Sequence, residues 1–133
     1  MLTAYIDGGS RGNPGPAGYG VRFVQEDGTV VRELRASIGT ATNNVAEYQG
    51  LIAALRYAAG AGHRALRIRS DSLLLVRQML GQYRVKNAGL QPLHRLAQVL
   101  AAGFDRLEFE HVPRAQNAEA DRLANEAMDE TAG

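Results

Sequence analysis

Asp7, Glu47, Asp71 and Asp121 each close or interrupt an apolar stripe, where the chain should be burying hydrocarbon. Most of the other acidic residues stand among polar neighbours, as a solvated surface requires. Glu47 is the clearest anomaly: it lies four residues before Leu51 and eight before Leu55, and so shares their helix face. Asp7 ends an uncharged strand pattern. Asp71 stands between a strand pattern and a helix pattern, and Asp121 lines up with the inward residues Ala124 and Met128. Burying ionised carboxylates is costly unless something positive meets them. A shared cation would meet all four.

Each acid also has a plainer reading. Asp7 could open an Asx turn, and Asp71 or Ser70 could be a helix N-cap. Glu47 and Asp121 could answer a helix dipole, for at most about 1 kcal/mol each. Those readings explain the turn Glu47 occupies but not its face, and four coincidences in one small chain weigh against them. Oxygen donors without cysteine or a close histidine pair suit Mg²⁺ or Mn²⁺ rather than Zn²⁺. The set exceeds what one structural Mg²⁺ usually takes. It fits two ions flanking a phosphodiester, one activating water and the other stabilising the leaving oxygen.

The elements that must carry these acids follow from periodicity. Leu2, Ala4 and Ile6 alternate with Thr3, Tyr5 and Asp7, predicting a strand over 2–7. GGSRGNPGPAG, over 8–18, is rich in Gly and Pro and predicts a turn. Strands are expected over 19–25 and 29–37, joined at Asp27-Gly28, which tolerates positive φ. Helical spacing then runs from Thr42 or Asn43 to Ala59, stopped by Gly60 and Gly62. A strand over 65–69, a helix over 71–80 and a loop over 81–89 come next, then a third helix with Pro92 in its first turn, ending near Ala102. Residues 107–112 alternate as a strand that Pro113 closes, and a last helix, capped by Asn117, spans 117–129. The order βββαβααβα implies one mixed α/β sheet with helices packed on it.

Composition leaves the partner open. The 133 residues fit one domain, with 45% hydrophobic and 22% charged residues. Net charge is +1, so there is no strongly basic tail, although all but one of the 15 basic residues are arginine, suited to phosphate. The lack of cysteine excludes disulfides and thiolate metal sites and fits a reducing cytosol. No apolar run approaches the roughly 20 residues that span a membrane, and the N-terminus lacks the pattern of a signal peptide.

Four stretches carry a family resemblance: YIDGGSRGNPGPAGYG (5–20), TNNVAEYQGLIAAL (42–55), IRSDSLLLV (68–76) and HVPRAQNAEADRLAN (111–125). In that order, each holding its acid, they resemble type 1 ribonuclease H over effectively the whole chain. The resemblance implies a single domain over 1–133 with the ribonuclease H-like fold, a five-stranded mixed sheet whose first three strands are antiparallel. It implies cleavage of the RNA strand of RNA–DNA hybrids, leaving 5′-phosphate and 3′-hydroxyl ends; a cytoplasmic location is expected from the composition, and a monomer is the default expectation. Two Mg²⁺ ions, with Mn²⁺ as substitute, would be held by the family's acidic quartet, which falls on Asp7, Glu47, Asp71 and Asp121.

A hybrid offers 2′-hydroxyls on one strand only, in a wide, shallow minor groove. By the same resemblance, the backbone at Gly8, Gly9 and Ser10 and the side chains of Asn43 and Asn44 touch that groove. Asn13, Thr42 and Asn87 hold the DNA-strand phosphates. Departures from the family pattern are informative. Many members carry a mobile histidine before the last helix; here that loop is Pro113-Arg114-Ala115-Gln116, with Arg114 its cation and His111 back on the strand as a structural residue. The basic insert of some bacterial members is absent from 81–89, where Arg84 and Lys86 are the only cations. Affinity should therefore be modest and salt-sensitive. Leu73 stands where better-known members often have Gln. Compact members sometimes also accept double-stranded RNA. Two alternatives stay open: an inactive hybrid-binding module, which predicts decay of at least one carboxylate, and a DNA nuclease of related fold, which would lack the Asn43-Asn44 pair and this G-G-S loop.

Overall fold

Leu2, Ala4 and Ile6 are buried on one face of the first strand, and the core is built against that face. The computed structural model describes residues 1–132, with side chains through Glu130. Strands β1 (Leu2–Ser10), β2 (Gly15–Val24) and β3 (Val30–Ala41) form an antiparallel meander. Helix α1 (Asn43–Gly60) follows, then β4 (Ala65–Ser70), α2 (Leu73–Met79), α3 (Gln91–Ala101) and β5 (Arg106–His111). A 3₁₀ turn over Arg114–Asn117 leads into α4 (Ala118–Ala132). The sheet order is β3-β2-β1-β4-β5, with β4 and β5 parallel to β1. Among the described residues, no helix is long and apolar enough to cross a membrane.

Helix α1 lays Tyr48, Leu51, Ile52, Leu55 and Ala58 on the sheet, where they meet Val21, Phe23, Leu66 and Ile68. Each large side chain so buried contributes roughly 1.5–3 kcal/mol. Leu75 and Met79 of α2 and Ala97 of α3 close the same layer. A buried bond from Tyr48 Oη to Gln78 Oε1, 2.7 Å, ties α1 to α2. The opposite face is covered by α4 through Ala120, Leu123, Ala124 and Ala127.

The stretch over 8–18 is not a turn as predicted. Strand β1 continues to Ser10 and β2 starts at Gly15, so only residues 11–14 turn. Gly12, at φ 84°, serves the reversal, whereas close approach requires Gly8 and Gly18, and Gly20 beyond them. A Cβ on Gly8 would stand 2.4 Å from the carbonyl carbon of Ala46, and one on Gly20 2.4 Å from Leu123 Cβ. Both neighbouring helices thus lie directly on the strand backbone.

Register fixes where a site can form. Asp7 pairs across from Gly20 and points to the α4 face, while Gly8 points to the α1 face. The pairing of β1 with β4 ends at Ile6 opposite Ser70. From Asp7 onward, the β4 side of β1 has no strand beside it.

Candidate metal centre

Into that gap reach side chains from both layers. Glu47, in the first turns of α1, comes from one face and Asp121, in the first turn of α4, from the other. Asp71 follows the last residue of β4. One carboxylate oxygen from each of Asp7, Glu47 and Asp71 lies within 4.8 Å of the others. Asp121 is itself exposed but lies within hydrogen-bonding reach of Asp7. All four line one cleft of about 370 Å³, with Gly8, Gly9, Asn43 and Arg114.

The plainer readings of Asp7, Glu47 and Asp71 fail on local structure, while Asp121 does stand exposed in the first turn of α4, where it can also answer the helix dipole. Ser72, not Asp71, caps α2: its side chain accepts from Leu75 N, and Ser70 Oγ accepts from Ser72 N at 3.0 Å. Asp71 is left free of capping duty. Asp7 lies within a strand rather than opening a turn. Glu47 is 9% exposed and Asp7 8%, too deep for a surface dipole contact. The cap predicted at Asn117 is also absent, because that residue ends the 3₁₀ turn and its side-chain amide donates to Ile6 O at 2.8 Å.

Electrostatics make the cluster unstable as four free anions. Burial, the charge of Asp71 and the hydrogen bond with Asp121 push Asp7 up to about 7, against which the Gly8 N–H pulls down. Burial, then Asp7 and Asp71, hold Glu47 well above the usual carboxylate range. Glu47 Oε2 is buried with no hydrogen-bond partner among the described residues. A buried acceptor without a donor, inside a set of hard oxygen donors, fits a divalent ion such as Mg²⁺ or Mn²⁺. Asp7, Glu47 and Asp71 would be its ligands, with Asp121 at the rim.

The sign of the pH response follows. A carboxyl whose folded pKa is raised contributes stability that is present below its unfolded value and lost as pH rises through the folded one. The surface acids held low by partners, such as Glu108 and Glu126, have finished titrating below that window. The ion-free protein should therefore melt lower at pH 8 than at pH 5, by about 5 °C. Mg²⁺ should restore the difference at pH 8 and do little at pH 5. Calorimetry with and without EDTA measures this; a melting point that rises from pH 5 to 8 without metal would contradict it.

Three asparagines, of which Asn43 lines the cleft, share one pattern. Asn43 Oδ1 accepts from Ser10 N at 2.8 Å and Ser10 Oγ at 3.2 Å, and Asn13 Oδ1 accepts from Asn43 N at 3.1 Å. Asn87 Oδ1 accepts from Gly89 N at 2.7 Å. Backbone donors thus engage the amide oxygen of each of these exposed side chains, which leaves the NH₂ to donate to an acceptor-rich ligand. Thr42 caps α1, accepting from Val45 N, and Asn44 is exposed beside it. Ser10, Asn13, Thr42, Asn44 and Asn87 do not line the cleft itself, nor does His111, which is exposed at the end of β5. Arg114 does line it and makes no ion pair among the described residues. Sequence reasoning missed three lining residues, Ser72, Asn125 and Met128. Asn125 and Met128 follow Asp121 at helical spacing, and Asn125 Nδ2 donates to Asp121 O at 2.9 Å.

A family model described as reverse transcriptase-like matches residues 5–127. A bifunctional protein of Mycobacterium tuberculosis is 54% identical over 95% of the chain, which spans 35% of that relative's length. The chain is thus about a third of such curated relatives. The N-terminal ribonuclease H domain of that protein, solved as a fusion with maltose-binding protein, superimposes with TM-score 0.95 at 52% identity, covering 98% of this chain and 95% of the solved one. The crystal structure of ribonuclease H1 from the archaeon Halobacterium salinarum gives TM-score 0.93 at 47% identity, covering 97% and 98%. LC11 ribonuclease H1, solved in complex with an RNA/DNA hybrid, gives TM-score 0.94 at 42% identity over 100% of both chains.

Proposed function

The chain belongs to the type 1 ribonuclease H family, and from its acidic cleft we propose that it hydrolyses the RNA strand of RNA–DNA hybrids to 5′-phosphate and 3′-hydroxyl ends. We read residues 1–133 as one such domain. The observation that carries the reading is the meeting of Asp7, Glu47 and Asp71 within 4.8 Å, the first two buried and the third half-buried, none of them in an ion pair among the described residues. Divalent ions held there, two with substrate bound, would supply an activated water and stabilise charge on the departing oxygen.

The chain's own groups do the rest. The NH₂ of Asn43, beside the Ser10 backbone, donates toward 2′-hydroxyls of the RNA strand. The NH₂ groups of Asn13 and Asn87, with Thr42 at the helix start, serve phosphate oxygens of the DNA strand. Selection against pure DNA then comes from 2′-hydroxyl contacts that DNA cannot make. Arg114, on the cleft wall, offers positive charge where the leaving group gains negative charge. Truncating it, Arg114→Ala, should lower kcat by about 10-fold with little change in KM. Steady-state rates decide this, and an unchanged kcat would make Arg114 a surface cation.

The test of the whole reading is a substrate panel: labelled hybrid, double-stranded RNA and duplex DNA, each with Mg²⁺, Mn²⁺ and EDTA. Metal-dependent cutting of the hybrid's RNA strand is expected. An intact hybrid under all conditions, or preferred cutting of duplex DNA, would overturn the proposal.

A further inference from the structure

We propose that Asn117 is a positioning residue that sets Asp121 against Asp7, and so governs how the cleft holds its divalent ions; this rests on the functional reading above. Asn117 is 1% exposed, and its Nδ2 donates to the carbonyl oxygen of Ile6 at 2.8 Å, across 111 residues of sequence. Ile6 directly precedes Asp7 and is the last residue of β1 that β4 pairs. At its other end, Asn117 closes the 3₁₀ turn that begins at Arg114, four residues before Asp121. One hydrogen bond thus joins the strand bearing one acid to the helix start bearing another.

Elsewhere α4 meets the sheet through small apolar residues and through polar links at exposed positions, Arg11 Nη2 to Asn125 O among them. Ala120, Leu123 and Ala124 lie on β2 at Gly20, a close apolar contact. The ion pairs that reach α4, Arg22–Glu119 and Arg35–Glu130 among them, sit at exposed positions where such pairs hold little. Stability alone does not explain the residue either. Asn117 Oδ1 is buried without a hydrogen-bond partner among the described residues, at a cost of the size a same-sized apolar side chain would avoid. What an apolar side chain could not do is grip the Ile6 carbonyl and fix the start of α4 along β1.

Two variants and two readouts test this at a temperature where each variant is folded. Asn117→Ala should lower kcat about 10- to 100-fold with KM for the hybrid unchanged. Calorimetric titration with Mn²⁺ alone should show affinity weakened about 10-fold. Asn117→Asp provides a second route should the alanine variant fold poorly: a neutral carboxyl can donate to Ile6 O and an ionised one cannot. Its activity relative to wild type should therefore fall steadily between about pH 6 and about pH 9. Wild-type kcat and Mn²⁺ affinity in Asn117→Ala, or an Asn117→Asp defect independent of pH, would overturn the inference. If the unaltered protein binds Mn²⁺ but leaves hybrid intact, the functional reading fails instead, and the Mn²⁺ titration still decides the role of Asn117.

Discussion

Asp7→Asn is expected to abolish hybrid cleavage, lowering kcat by roughly 10³-fold or more, while the ion-free protein melts higher than wild type. Asp7 is the centre of the cluster: Asp71 raises its pKa through charge, Asp121 through a hydrogen bond, and Glu47 is raised by it in turn. The amide keeps the shape and one oxygen but removes the charge that a divalent ion needs. It also removes the repulsion that the folded state bears at neutral pH, so loss of function and gain of stability should appear together. Initial rates on hybrid, and calorimetry in EDTA at pH 8, measure the two halves. Full activity in the variant would remove Asp7 from the chemistry, and a lower melting point would show that the acids do not oppose one another.

The second large effect is steric. Gly8→Ala places a methyl group 2.4 Å from the carbonyl carbon of Ala46 and 2.5 Å from Glu47 N, both of them backbone atoms that cannot rotate away. Helix α1 must lift from β1, and Glu47 lifts with it. We expect a loss of about 3 kcal/mol or more in stability and metal affinity reduced beyond detection. Gly60→Ala is the matched control, since its added methyl meets nothing within 4 Å and its φ is ordinary. Urea midpoints for the two should differ by more than about 1 M on the usual denaturant slope. Equal midpoints would mean that α1 and β1 are not seated as closely as described.

The acids were legible in the sequence because periodicity reports which face a residue occupies. The spacing of Glu47 to Leu51 and Leu55 gave its inward direction, and the Leu2–Ile6 alternation set Asp7 on the other face of its strand, with Thr3 and Tyr5. The meander was legible as well, with Gly28 at φ 86° in the hairpin turn and Thr29 N bonded to Asp27 Oδ1. The glycine run over 8–18 misled because a glycine needed for chain reversal and one needed for helix-on-strand contact look alike until the partner helix is placed. The sequence offered Ser70 or Asp71 as the cap of α2, and the backbone geometry selects neither but Ser72. Asn117 was hidden for a different reason: its partner is a main-chain carbonyl, and main-chain groups leave no mark in a sequence.

The early end of β4 at Ser70 has a consequence for how the molecule can change. Lengthening β4 by two residues to continue the ladder beside Asp7 and Gly8 would satisfy more backbone groups and stiffen the sheet, yet it would fill the space where ions are expected to lodge. Selection for sturdiness and selection for hydrolysis therefore pull on the same strand end in opposite directions.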